Sequence, residues 1–241
     1  MNPVLVALDV DSADKALALA DRLRGAVGGY KVGHQLFTSA GPDVVRRLVA
    51  QGDRVFLDLK YHDIPNTVSG AVAAATALGV WMVNVHAGGG APMMRAARRS
   101  ADEAASKLGR PAPLVIAVTV LTSMDAPTLR TLGIDEPPID HVVRLARMTQ
   151  DAGLDGVVAS PQEIEAIREA CGREFAIVTP GIRGGSAAAG PDDQHRTATP
   201  TGAMAAGASY LVVGRPITAA DDPRAAAEAI AREAAASPSA Q

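Results

Sequence analysis

Asp58, Lys60 and Asp63 fall within Phe56-Leu-Asp-Leu-Lys-Tyr-His-Asp-Ile-Pro-Asn-Thr67, where an apolar run stops abruptly in charge. On a strand, side chains two apart share a face, so Asp58 and Lys60 point the same way and Asp63 follows in the turn. Three charges are thereby expected to converge at one strand terminus. Burying such groups is costly unless they are paired, so the array is either a structural ion pair or a reaction centre. A lysine held in this way can stabilise negative charge and pass a proton, or condense with a carbonyl group as a Schiff base.

A second group suggests phosphate. Val178-Thr-Pro-Gly-Ile-Arg-Gly-Gly185 and Val212-Val-Gly-Arg-Pro216 each set glycine, which permits close backbone approach, beside an arginine able to grip phosphate with two parallel hydrogen bonds. Gly88-Gly89-Gly90 has no following Lys-Ser/Thr and belongs to no GxGxxG pattern, so it reads as a tight turn. The segment from Arg183 to Arg196 is long and glycine-rich. It is expected to be an active-site lid with Arg183 at its base and Gln194 on its far limb, the alternative being a surface loop with no role.

Other chemistries find little support. The five histidines, at positions 34, 62, 86, 141 and 195, show no HExxH or other ligand spacing, and Lys60 stands between Asp58 and Asp63 as a competing cation, so a site without metal is the simpler reading. GxSxG is absent, and the single cysteine, Cys171, falls in an expected helix. One thiol forms no internal disulfide and no CxxC site, which fits a reducing compartment. With 20% charged residues and a net charge of -3, nothing calls for a nucleic-acid or membrane partner. The first residues lack a basic segment and break their apolar run at Asp9, so neither a signal peptide nor a membrane span is expected, and a cytoplasmic location is.

The elements that must position these groups repeat one pattern. Apolar runs at Val4-Val10, Tyr30-Val32, Val55-Leu59, Trp81-Val85, Leu114-Val120, Gly156-Ala159, Ala176-Val178 and Tyr210-Val213 read as strands. Between and after them lie alanine-rich segments of helical period at Ala13-Leu23, Asp43-Ala50, Val68-Leu78, Ala91-Leu108, His141-Ala152, Pro161-Ala170, Gly202-Ala206 and Arg224-Ala234. Strands apolar on both faces suit a parallel sheet covered by helices, and eight such units in about 250 residues match a closed (β/α)₈ (TIM) barrel. An open doubly wound sheet is the alternative, because strand number alone does not demonstrate closure. No linker divides the chain, so residues 1–236 are expected to form a single domain, with Ser237-Gln241 as a frayed tail.

Barrel enzymes place their chemistry at the carboxyl-terminal rim of the strands. The polar residues expected there are Asp9, Lys31, Asp58, Lys60, Asn84, His86, Thr122, Ser123, Arg183 and Arg215. Each also has an ordinary structural role open to it: Asp9 as a helix cap, Lys31 as its counter-ion, Asn84 or His86 as partners for backbone groups. Their recurrence at one rim is what favours function.

From Val4 to about Ile217 these motifs resemble the orotidine 5'-phosphate decarboxylase family. The matching residues are Asp9, Lys31-Val-Gly33, Asp58-Leu-Lys-Tyr-His-Asp-Ile-Pro-Asn-Thr67, Val120-Leu-Thr-Ser123, Thr179-Pro-Gly-Ile-Arg183, Asp193-Gln194 and Gly214-Arg215. The resemblance implies decarboxylation of orotidine 5'-phosphate to uridine 5'-phosphate, the last step of de novo pyrimidine nucleotide synthesis, with no metal or organic cofactor. It implies that Lys60 stabilises the carbanion at C6 and protonates it, with Asp58 and Asp63 holding the lysine. It further implies that Asp9 and Lys31 bind the ribose hydroxyls, that Thr122 and Ser123 read the pyrimidine edge, and that Arg183, Gln194, Gly214 and Arg215 clamp the phosphate, with Pro180 also at the substrate. Ile64 and Thr67 are implied to serve substrate binding as well, and Asp63 and Thr67 to reach the neighbouring subunit's site in a homodimer.

On residues alone, three competitors stand. They are a magnesium-dependent sugar-phosphate decarboxylase or synthase with an Asp-x-Lys motif, a Schiff-base aldolase, and a non-catalytic barrel that binds a nucleotide phosphate. Lys31 and the continuation Ile64-Pro-Asn-Thr67 favour the pyrimidine decarboxylase over the magnesium enzymes.

Overall fold

Eight runs that are apolar on both faces become eight parallel strands in a computed structural model that describes residues 1–184 and 197–236. They are β1 (Val4–Ala7), β2 (Gly29–Gly33), β3 (Val55–Tyr61), β4 (Met82–His86), β5 (Leu114–Val118), β6 (Gly156–Val158), β7 (Ala176–Thr179) and β8 (Tyr210–Val213). Neighbours in sequence are neighbours in the sheet, and β1 pairs with β8 through Val4 and Leu211, Leu5 and Val212, and Val6 and Val213. The sheet is therefore a closed barrel with no free edge, as expected.

Alternation along each strand divides the core in two. Leu5, Ala7, Phe56, Met82, Ile116, Val178 and Val212 cluster inside the barrel, whereas Val4, Val6, Leu57, Val83 and Ile177 belong to the larger layer shared with the helices. Glycine is required where β6 passes β7, since a Cβ on Gly156 would lie 2.1 Å from the carbonyl oxygen of Ala176. The helices follow from apolar periodicity and local caps. Ala13–Leu23 buries Ala16, Leu17, Ala20 and Leu23, and its first turn is capped by the Ser12 hydroxyl, which accepts from the Lys15 N–H. No helix among the described residues is long and apolar enough to cross a membrane.

The differences from expectation have local causes. The expected β1 ran to Val10 but ends at Ala7, just before Asp9 turns to the rim as the partner of Lys31. The helix expected from Val68 begins at Pro65, where a proline without an N–H costs nothing in the first turn. The helix expected at Pro161-Ala170 is a 3₁₀ turn, Pro161–Glu163, followed by Ile164–Cys171, and a capping box between Ser160 and Glu163 organises the start. The glycine run is a 3₁₀ turn at Ala87–Gly89, with Gly90 at φ +81° opening the next helix. Short helices at His34–Ala40, Ala126–Thr131 and Arg215–Thr218 had no counterpart in the sequence reading. The tail 237–241 lies outside the described residues.

Candidate active site at the carboxyl-terminal rim

The strand ends surround a cavity of about 330 Å³. Asp9 follows β1, Lys31 lies on β2 and Asp58 and Lys60 lie on β3; across the mouth stand Thr122 after β5, Pro180 and Arg183 after β7, and Gly214 and Arg215 after β8, all lining the cavity. Closure of the sheet brings the two halves of this rim together.

The charged half is a connected network. The Lys60 ammonium donates to Asp58 Oδ1 at 2.7 Å, Lys31 Nζ lies 3.6 Å from Asp58 Oδ2, and Lys31 also donates to Asp9 Oδ1 at 2.9 Å. Lys31 and Asp58 are buried, while the Asp9 side chain is half exposed. Burial alone pushes the Asp58 carboxyl upward, but Lys31 and Lys60, with hydrogen bonds from Lys60 and Asn84, outweigh it and hold the group below the usual carboxylate range. Asp58 is thus an anion between two cations. Gly33 makes room for this pairing, because a Cβ there would lie 2.7 Å from Lys31 Nζ.

Backbone distortion aims Lys60. Leu57 pairs with Val83 and Tyr61 with Val85, so Asp58, Leu59 and Lys60 all face the single residue Asn84 in a bulge. Lys60 sits at φ +47°, the only non-glycine residue with positive φ among those described. Such a conformation costs about 1–3 kcal/mol, a strain typical of functional sites. Asn84, fully buried, bridges the distortion: its Oδ1 accepts from the Lys60 backbone N–H at 2.8 Å and its Nδ2 donates to Asp58 Oδ1 at 2.7 Å. The sequence places Asn84 among the rim residues, with the satisfying of backbone groups as its structural alternative, but does not tie it to Lys60. Nothing in the sequence announced the bulge or the left-handed lysine.

The convergence of three charges is corrected by the structure. Asp63 is exposed, its Oδ1 accepts from the Ile64 N–H at 2.6 Å, and it makes no ion pair with Lys60 among the described residues. It lies in the turn between Tyr61 and the helix Pro65–Ala77 and is not among the residues that line the cavity. Ile64 is 67% exposed, and Thr67 is exposed on the first turn of the helix. Ser123, also exposed, does not line the cavity, although its neighbour Thr122 does. Gln194 and most of the expected lid lie outside the described residues, but the base of that segment is fixed: the Arg183 N–H donates to the Ala198 carbonyl at 2.8 Å, and Ala198 N–H to that of Gly181 at 3.2 Å.

His86, at the end of β4, packs its ring 5.4 Å from that of His62. Burial, followed by the influence of His62 and Lys60, holds its imidazole below the ordinary range. Among the described residues no three histidine, cysteine or carboxylate groups stand together as a metal-binding set.

A parallel barrel whose mouth opposes a lysine–carboxylate network to a pair of arginines is the architecture of a (β/α)₈-barrel enzyme acting on an anionic substrate. The model of the orotidine 5'-phosphate decarboxylase / HUMPS family matches residues 2–230, and the chain belongs to that family. The orotidine 5'-phosphate decarboxylase of Moorella thermoacetica is 56% identical over 233 residues, covering 96% of this chain and 92% of the relative. That of Halorhodospira halophila is 57% identical, covering 97% and 96%. Among solved structures, the orotidine 5'-phosphate decarboxylase of Lactobacillus acidophilus superposes with a TM-score of 0.86 at 41% identity, covering 97% of this chain and 99% of that one.

Proposed function

We propose that this chain decarboxylates orotidine 5'-phosphate to uridine 5'-phosphate and CO₂, the activity named for its relatives, with Lys60 as the group that makes the step feasible without metal or organic cofactor. The observation that carries the reading is the Lys60 ammonium, bonded to a buried carboxylate and lining the same cavity as Arg183 and Arg215. The bond between C6 and its carboxyl group breaks, CO₂ leaves, and the electron pair stays on C6. Lys60 stabilises that charge in a site largely withdrawn from water and then transfers an N–H proton to C6; solvent reprotonates the resulting amine.

Asp58 holds Lys60 and lies beside the departing carboxylate. Asp9 and Lys31 take the ribose hydroxyls, Thr122 and Ser123 the pyrimidine edge beside Pro180, and Arg183, Gln194, Gly214 and Arg215 the phosphate. Holding the phosphate at the far side of the mouth lets its binding energy position the ring. The exposed residues Asp63, Ile64 and Thr67 support a homodimer in which Asp63 and Thr67 enter the partner's site, since a large apolar side chain so exposed beside a carboxylate that does not line its own cavity suits an isologous interface. A cytoplasmic location fits the single buried thiol of Cys171.

The test follows the absorbance of orotidine 5'-phosphate in chelator-treated buffer. The wild-type protein is expected to turn over at full rate, and Lys60→Ala to lose at least about 10³-fold in kcat while still binding uridine 5'-phosphate. Loss of wild-type activity on chelation would point to the magnesium enzymes, and near-native turnover by Lys60→Ala would remove the lysine from its role.

A further inference from the structure

We propose that Asn84 is a positioning residue for the reaction, clamping the backbone and the counter-ion of Lys60 with one amide. The inference rests on the role given to Lys60 above. Three residues of β3 face Asn84 alone, so the bulge deprives the Lys60 N–H of a regular ladder partner; the Asn84 side-chain oxygen supplies one at 2.8 Å. The other end of the same amide donates at 2.7 Å to Asp58 Oδ1, the atom that also receives the Lys60 ammonium at 2.7 Å. Backbone, ammonium and counter-ion of one lysine are thus referenced to a single fully buried group.

An amide suits this position because it accepts at one end and donates at the other without charge. A carboxylate there would repel Asp58, and an aliphatic side chain would leave both the bulged N–H and one Asp58 lone pair unmet. Lys60 occupies a left-handed conformation that glycine or asparagine would adopt more readily than lysine, so it holds only while its surroundings enforce it. Displacing a catalytic group by about 1 Å can cost on the order of 10²-fold in rate.

Two variants test the assignment, with Lys60→Ala beside them. Asn84→Leu keeps the branched shape, with greater bulk, and removes both hydrogen bonds; it is expected to lower kcat about 10- to 100-fold while KM for orotidine 5'-phosphate and Kd for uridine 5'-phosphate stay within about threefold. Asn84→Asp provides an independent readout. When its introduced carboxyl is protonated it accepts from Lys60 N–H and donates to Asp58, reproducing the amide pattern; when ionised it faces Asp58 as a like charge. The groups it meets are Asp58 and Lys60 on β3, Lys31 and Asp9 beyond them, and His86 two residues on along β4. The ratio of its kcat to wild type is therefore expected to rise as pH falls, whereas the ratio for Asn84→Leu stays flat. A kcat within twofold of wild type for Asn84→Leu, or a pH-independent ratio for Asn84→Asp, would overturn the proposal. If Lys60→Ala keeps near-native turnover, the role of Lys60 fails as well; if Lys60→Ala is inactive and the Asn84 variants behave as wild type, only the clamp fails.

Discussion

Asp63 is exposed, bonded to its own Ile64 N–H and absent from the lining of its own cavity, whereas Lys60 lines that cavity. If Asp63 completes the site of the other subunit, two inactive proteins should repair one another. Lys60→Ala homodimers lack the lysine in both sites, and Asp63→Ala homodimers lack the donated carboxylate in both. A mixed dimer concentrates both defects in one site and leaves the other with wild-type Lys60 and Asp63 from different chains. Random pairing of equal amounts makes about half the dimers mixed, so about a quarter of all sites are whole. With each parent lowered at least about 10²-fold, recovery should exceed either parent by about 25-fold or more. The assay dissociates the two proteins in mild denaturant, lets them reassociate together, and follows orotidine 5'-phosphate absorbance, with native mass spectrometry counting mixed dimers. Mixed dimers present at half of the total with activity no higher than the parents would refute the shared site.

Arg215→Ala should lower kcat/KM for the nucleotide by about 10-fold or more, from the loss of one or two charge-assisted hydrogen bonds at about 1.5–3 kcal/mol each, and leave the slow reaction of phosphate-free orotidine nearly unchanged. An equal loss on both substrates would assign Arg215 to structure. His86, held below its ordinary value of about 6.5 by burial and by its neighbours, binds a proton less readily folded than unfolded. Its contribution to stability is therefore complete above about pH 6.5 and lost as pH falls through the lower folded value. Urea unfolding of His86→Gln should show a smaller fall in stability between pH 7 and 5 than wild type, and an identical fall would exclude His86 as its source.

The barrel was legible because its signals are local and repeated: strands apolar on both faces and helices with a buried stripe. The short helices at His34–Ala40 and Ala126–Thr131 escaped because six or seven residues carry too little periodicity to separate from a loop. Of the site, the pairing of Asp58 with Lys60 followed from alternation, yet the structure achieves it through a bulge that alternation does not describe. A left-handed residue is usually announced by glycine, asparagine or aspartate, and Lys60 gives no such warning. The space that Gly33 leaves for the Lys31 ammonium was equally hidden, because it depends on where that lysine side chain ends. Asp63 falls in the expected turn, but its separation from Lys60 depends on how that turn enters the helix at Pro65.

Pairing of β1 with β8 gives the chain a particular history during synthesis. Val4 is synthesised well before Leu211, and the hydrogen bonds that join their strands are among the final ones the sheet can make. Until then the nascent sheet exposes two edges, each able to recruit a strand from another chain. A product truncated before Tyr210 would keep both edges and also lack Arg215. Incomplete chains of this protein are thus prone to aggregate, and the same late event that seals the sheet brings Gly214 and Arg215 to the cavity.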